Sequence, residues 1–420
     1  MKGKKVLVVG AICLAVIMAV LPLSTACSSQ AGEPVLKIGI TTPSSGPAAE
    51  KGSPMGHANL DAFEYINTEL GGVAGYQVEV HWLDNGYDTS KVVTNVKKFM
   101  DDGCLMFATS SSAMMTASMQ IANRAEFPGL VCFNAPNLHR PPQHIYGQMP
   151  DYGDDWMAFA EYYMENIWKG SGKPKMALHL LSNSTGYGAR DGAMAGAEQL
   201  GIEIVAIEEH KSTTISEVES LTRIKATNPD VMYIASTPAP AAVVIKNAVE
   251  LGMYPGMTIC CGHAAMTKEM VDIAGADIVE GVLGVFPSVN WGDNVPAMAK
   301  MTEYCLELHP DDYGNMDYIT SWAQSMIMAE ALRLAVENAG YEVLAKGDVE
   351  SWRALETQGI QKLNGYDVGG LHGPVSYTPG DNRISTLLKI FQVQDGEINP
   401  LTGWVETPLI KYEEFDWFGK

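Results

Sequence analysis

Basic residues are scarce in this chain. Lysine and arginine number 28 against 49 aspartates and glutamates, a formal net charge of −21. Nucleic-acid phosphates demand a basic face, so this balance excludes a role on DNA or RNA. Cysteine is rare as well: apart from Cys13 and Cys27 near the start there are only Cys104, Cys132, Cys260, Cys261 and Cys305. That odd remainder fits no disulfide framework, and no CxxC or His-x-x-x-His spacing points to a metal. The thiols sit in apolar runs and are expected to be buried hydrophobes. Catalytic signatures are missing too: there is no G-x-S-x-G elbow, no HExxH and no G-x-x-x-x-G-K-[ST] phosphate loop. Solenoid repeats and low-complexity tracts are absent. No catalytic residue, metal or cofactor is expected.

What is present is a chain of 420 residues with 46% hydrophobic content, enough for two or three domains with sizeable cores. Lys2, Lys4 and Lys5 precede an apolar run from Val6 to Leu23, followed by Ser24, Thr25 and Ala26. Positive, hydrophobic and small-residue regions in that order read as a secretory signal over residues 1–26; the run is only marginal as a membrane span. Residues 27–35 then read as a flexible tether.

From Leu36 onward strand and helix patterns alternate. Leu36 to Thr41 reads as a buried strand, and a Ser/Gly/Pro loop leads to a helix in which Ser53 is the expected cap and Pro54 the first turn. Strands expected at 78–83, 104–108 and 129–133 alternate with helices at 89–100 and 113–124. The proline-rich stretch from Asn134 to Gln143 breaks this rhythm, and the alternation restarts after about residue 151 with helices expected at 155–168, 190–200, 215–226 and 239–251. Such alternation predicts parallel sheets covered on both faces. The fold expected is α/β, two doubly wound parallel-sheet lobes joined by a three-strand hinge. The lobes comprise residues 36–151 with 288–384, and 152–287 with 385–420. Ligands of such sheets sit outside the carboxyl ends of the strands. Ser110, Ser111 and Ser112 end a strand and open a helix, where hydroxyls and free amides can take a carboxylate. Gly186, Gly188 and Gly192 with Glu208 imitate a dinucleotide fingerprint, but the spacing G-x-G-x-x-x-G is one residue too long and the exported address disfavours a nicotinamide cofactor.

Several stretches, in order, resemble one family. They are KIGITTPSSGP, EYINTELGGVAGYQVEV, LDNGYD, TSSSAMMTASMQIANRAEFPG, STGYGARDGAMAGAEQLG, NPDVMYIAS and EGVLGVFP, spread over roughly residues 36 to 400. They resemble the type I solute-binding proteins of ABC importers, in the branch of the branched-chain amino-acid binders. The resemblance implies a type I periplasmic-binding-protein fold, closure on a small molecule, and delivery to an ABC permease of the cytoplasmic membrane. It also makes Cys27 resemble a lipobox cysteine, hence a lipid anchor on an exported protein, although Leu23 lies four residues before it and not three. Free secretion is the alternative.

The same comparison places Ser112 at the ligand's carboxylate, Asn134 and Ala135 at further polar contacts, and Tyr187 as a pocket aromatic of the second lobe. It also exposes departures. Lys51 stands where the amino-acid binders have an aromatic and His263 where they have the glutamate that receives the ammonium. Ser236 and Thr237 replace aromatics, and Tyr152 takes an acidic position. Without that acid a buried ammonium lacks its partner, so the expected solute is amino acid-like or, favoured by these departures, a carboxylate or aromatic acid. The alternatives are a ligand-sensing receptor of the same fold and, behind it, an exported α/β enzyme. For the anchor the expected outcome is direct: Cys27→Ser moves the protein from the membrane fraction to the soluble exported fraction, and retention on membranes overturns that role.

Overall fold

The computed structural model describes residues 34–383, 387–407 and 410–418. The expected signal, the anchor at Cys27 and the third lobe crossing at residues 384–385 lie outside the described residues. Five parallel strands form the first sheet: β1 (Val35–Thr42), β2 (Gln77–Asp84), β3 (Phe107–Thr109), β4 (Gly129–Val131) and β5 (Ile145–Gly147), in the order β2-β1-β3-β4-β5. The second sheet is built from β6 (Lys175–Leu181), β7 (Glu203–His210), β8 (Val231–Ala235), β9 (Thr258–Cys261), β10 (Leu283–Phe286), β11 (Leu387–Gln394) and β12 (Glu397–Pro400), in the order β12-β11-β10-β9-β8-β6-β7; β13 (Val405–Glu406) pairs with β11. Helices cover both faces of each sheet. Separate apolar clusters form on the two faces of the first sheet, around Ile38, Phe63 and Trp322 on one and Phe99, Phe107 and Phe127 on the other. This is the α/β, two-lobed arrangement of the type I periplasmic-binding-protein fold.

Three details depart from the expectation. The second sheet is not wholly parallel: β11 runs antiparallel to both β10 and β12. Asp395 and Gly396, both at positive φ, make the two-residue turn between β11 and β12, and such a turn joins antiparallel strands only. Strand β5 follows the proline-rich break as a short edge. Its backbone is closed off by Asn382, whose amide donates to the carbonyls of Gln143 and Ile145 while its own carbonyl accepts from Gly147 N–H. The helix after β1 spans Ala49–Thr68, so Ser53 is no cap; its hydroxyl lies 3.4 Å from the Ser44 carbonyl, and Pro54 falls inside the helix. The helix starts five residues early and so includes Lys51, which is buried.

Of the glycines that imitate a nucleotide fingerprint, Gly192 serves helix packing. The helices Tyr152–Tyr162 and Ser184–Leu200 lie so close that a Cβ on Gly192 would come 2.5 Å from Gly153 Cα, and one on Gly196 2.1 Å from Met157 Sδ. Gly192→Ala is therefore expected to destabilise the protein by about 1–3 kcal/mol through overpacking. The same change at Gly403, where a Cβ meets nothing within 4 Å, leaves the urea midpoint nearly unchanged.

All five cysteines among the described residues are buried and free, and burial pushes the Cys104, Cys132 and Cys261 thiols up to about 12. Two histidines form a more consequential buried unit inside the second lobe. His179 Nδ1 and His210 Nδ1 are 2.9 Å apart, His179 Nε2 is 3.0 Å from Ser220 Oγ, and His210 Nε2 is 2.7 Å from Ser236 Oγ. Ser220 Oγ lies 2.6 Å from Glu217, a carboxylate that only accepts, so Ser220 gives its proton there. His179 then donates to Ser220, His210 to His179, and Ser236 to His210. Every proton in the chain is committed and neither ring can hold a second one without breaking the contact. Burial lowers both histidines to about 3. The unfolded chain, with histidines near 6.5, binds more protons between those values, so stability is expected to fall as pH drops from about 6.5 toward about 3. Urea unfolding across that range tests this, and replacing both histidines with glutamine should flatten the slope.

Candidate functional site

The carboxyl ends of both sets of parallel strands face one crevice. The loops that leave β1, β2, β3, β4, β6, β8 and β9 there line a common cavity. Pro43 follows β1, Tyr87 follows β2, Ser110 and Ser111 follow β3, and Phe133 follows β4. Thr185, Thr237 and Ala264 come from the loops after β6, β8 and β9, with Tyr152 at the crossing and Ala48, Lys51 and Gly52 on the helix after β1. Side chains from the two sheets touch around it. Ser112 Oγ lies 3.1 Å from Ser184 Oγ and 3.4 Å from Thr185 Oγ1, and the Asn183 amide donates to the Tyr87 hydroxyl at 3.1 Å. Thr185 Oγ1 lies 3.5 Å from the Tyr152 hydroxyl.

Part of the wall's hydrogen-bonding capacity is uncommitted. The helix Ser112–Ala125 begins at Ser111, whose side chain does not cap it, so the amides of its first turn have no intrahelical acceptor. Thr237 heads the helix Pro238–Glu250 without capping it, and its buried hydroxyl has no partner. Tyr87, Phe133 and Tyr152 supply aromatic surface, and burial pushes the phenols of Tyr87 and Tyr152 up, so both stay neutral donors. Hydroxyls and amides on one side, aromatic faces on the other, make a site that orients an acceptor-rich head and packs an apolar body.

Charge in the wall is already spoken for. Lys51 Nζ sits 2.5 Å from Asp317 Oδ1 and 3.9 Å above the centre of the Phe133 ring. Asp317, 0% exposed, comes from the helix Met316–Ala339, far along the chain. His263 Nδ1 is 2.5 Å from Asp155 Oδ2, and the imidazole lies against the rings of Phe133 and Tyr152, outside the lining. The two residues expected to face a carboxylate with positive charge are thus each held beside a buried acid instead.

Of the other expected contacts, Ser110, Ser111, Tyr152 and Thr237 line the cavity, while Ser112 is buried at the contact between sheets. Ser236 is engaged with His210. Asn134 is spent on structure, its amide donating to the Met149 carbonyl at 2.6 Å and its oxygen 2.7 Å from His139 Nε2; neighbouring Ala135 is buried in the core. Tyr187 does not reach the cavity. Asn183 caps the following helix at Thr185, so Ser184–Leu200 starts six residues earlier than expected, and Tyr187 in its first turn points toward Glu209 and Arg190. Thr185 takes the place on the cavity wall that Tyr187 was expected to fill.

Tyr87, Phe133 and Thr185 were not singled out from the sequence. For Tyr87 a signal existed: the segment LDNGYD places two successive residues, Gly86 and Tyr87, at positive φ, an unfavourable conformation for tyrosine that a cleft-facing loop sustains. Asp317 carried no local signal at all.

Comparison with known proteins gives the class. The profile described as periplasmic binding protein matches residues 35–397, and the chain belongs to that family, whose members bind solutes and are not enzymes. No curated protein sequence is significantly similar to the chain. Among solved structures, a branched-chain amino-acid ABC transporter protein from Thermus thermophilus with bound valine superposes with a TM-score of 0.78 at 18% identity, covering 91% of this chain and 99% of that one. A fatty-acid ABC transporter substrate-binding protein from Thermomonospora curvata gives 0.76 at 20%, covering 91% and 94%; an extracellular ligand-binding receptor from Rhodopseudomonas palustris HaA2 gives 0.75 at 22%, covering 87% and 99%. At these identities the likeness is one of fold. Membership of the family implies an exported solute-binding protein of ABC-transporter type, and no helix among the described residues is long and apolar enough to cross a membrane.

The buried pair sets a clear expectation. Lys51→Met leaves the buried Asp317 carboxyl without its counter-charge, at a cost of about 3–5 kcal/mol near neutral pH. Lys51→Met with Asp317→Leu recovers most of the loss, as measured by urea unfolding.

Proposed function

We propose that this protein captures a small carboxylate-bearing molecule with an apolar or aromatic body between its two lobes and hands it to an ABC permease. The lobes are taken as residues 36–151 with 288–384, and 152–287 with 385–420. The observation that carries the solute class is the pairing of uncapped amides at Ser112–Ala125 and the unpartnered Thr237 hydroxyl with an aromatic wall, in a lining whose one charged side chain, Lys51, is neutralised by Asp317. A carboxylate accepts from amides and hydroxyls without needing a cation. Among the described residues that line the cavity there is no acid to receive an ammonium. The valine named for the Thermus relative and the fatty acid named for the Thermomonospora relative both carry a carboxylate, and the second lacks an amino group. Ligand contacts made by both lobes at once shift the population toward the closed form. A lipid anchor at Cys27 would keep the exported protein at the membrane, close to its permease. A sensing receptor would bind in the same way, and a deletion strain with unimpaired uptake would favour that role.

Thermal unfolding against a panel of amino acids, aliphatic and aromatic acids, dicarboxylates and amides tests the reading. A solute at about a hundredfold its dissociation constant adds roughly 2.7 kcal/mol of stability. The expected result is a shift with carboxylates lacking an α-amino group, reduced about tenfold in affinity by Ser110→Ala with Thr237→Val, a loss of the size given by one or two hydrogen bonds to a charged group. A shift confined to leucine-like amino acids overturns the solute class.

A further inference from the structure

We propose that Glu269 is a proton-linked latch between the lobes: its protonated form holds them closed and its carboxylate drives them apart. The proposal rests on the reading that the lobes close on a solute. Glu269 lies on the helix Lys268–Ala274, on the side of the second sheet, and its Oε1 accepts from the Asn315 amide at 2.5 Å. Asn315 caps the helix Met316–Ala339, which packs on Ala49–Thr68 beside the first sheet. The contact therefore spans the crevice, one turn away from the Lys51–Asp317 pair that borders the cavity.

The charges there do not balance. Asp317 Oδ1 takes the Lys51 ammonium, while Asp317 Oδ2 and Glu269 Oε2 are both buried without a partner. Asp317 takes the lysine, while no lysine or arginine pairs with the part-buried Glu269 among the described residues, and an unpaired charge drawn out of water is expensive. One proton removes the excess. Thr267 offers its hydroxyl, but the charged groups around Glu269 give no relief. On the helix after β1 stand Lys51, already engaged, and Glu50, itself acidic with a buried unpartnered oxygen. On its own helix Lys268 is tied to Asp272, and Asp155 and His263 hold each other on the far side. Glu397 on β12 adds further negative charge beside Lys268. Burial, and after it Asp317, raises the Glu269 carboxyl from 4.5 to about 7.

The sign follows from that shift. When the lobes part, Glu269 loses Asn315 and regains water, so its carboxyl returns toward 4.5. The closed form then binds more protons between about 4.5 and 7, and acid favours closure. The advantage is complete below 4.5 and is lost as pH rises through about 7. One proton taken up on closing changes the closed-to-open ratio by up to about tenfold per pH unit within that window. Solute affinity is expected to rise in parallel toward acid.

Small-angle X-ray scattering on the protein without added solute, at pH 5.0 and pH 8.5, tests the latch. The expected result is a wild-type radius of gyration smaller at pH 5.0 by on the order of 1 Å, out of roughly 21 Å for a chain of this length, with Glu269→Gln compact at both values. Equal wild-type radii at the two values overturn the proposal, as does Glu269→Gln keeping the full wild-type response. If the variant does not fold, the wild-type pair of measurements still decides. A solute-induced thermal shift together with pH-independent scattering overturns the latch alone. pH-dependent scattering with no shift for any solute overturns the binding reading alone.

Discussion

The meeting of the two sheets is governed by one constraint: charge carried out of water must find a partner. Lys51 meets it with a single ammonium placed between the Asp317 carboxylate and the face of Phe133. That pairing joins the helix after β1 to a helix more than two hundred residues later, and it fixes the floor of the cavity. Gly52 beside it is equally constrained, because a Cβ there would stand 2.2 Å from the Pro43 carbonyl oxygen. The loop after β1 can pass this close only over a glycine. Breaking the pair would leave a buried carboxylate and loosen the helix start and the loop together.

With its lysine neutralised, the cavity would, on the proposed reading, recognise a solute through dipoles. Amides at a helix start and hydroxyls from both lobes are directional, so they read the position of acceptor atoms more than net charge. The aromatic faces of Tyr87, Phe133 and Tyr152 accept an apolar body. Since donors come from strand ends in both sheets, a solute satisfies them all only when the lobes are together. Binding and closing are in this way one equilibrium, and any group buried by closing bears on affinity even if it never touches the solute. Glu269 is such a group.

The legible parts of the sequence were those with a local cause. The helix Thr89–Asp101 begins where expected because Asp88 caps it, and the serines after β3 stand where a strand-to-helix junction must place them. Tyr187 misled for a physical reason. Asn183 caps the chain into a helix at Ser184, six residues before the expected start, and this puts the aromatic side chain in the first helical turn, facing Glu209 and not the crevice. Gly192 looked like part of a phosphate loop because close backbone approach calls for glycine whether the neighbour is a phosphate or another helix, whereas Gly186 is set by its own preceding strand, a Cβ there standing 2.2 Å from the Leu181 carbonyl oxygen.

The sequence by itself determined the alternation of strand and helix, hence two sheets with helices on both faces and a crevice at their strand ends. Those features arise from hydrophobic periodicity and turn chemistry, which act over a few residues. It also determined that Ser110, Ser111 and Thr237 would stand at that crevice. Tertiary structure alone decided the state of charge within it: that Lys51 belongs to Asp317 and His263 to Asp155, and that Glu269 reaches across to Asn315. These pairs join residues from 46 to 266 positions apart. No local pattern encodes such a partner, because what selects it is the cost of leaving a charge unpaired once folding has removed the water.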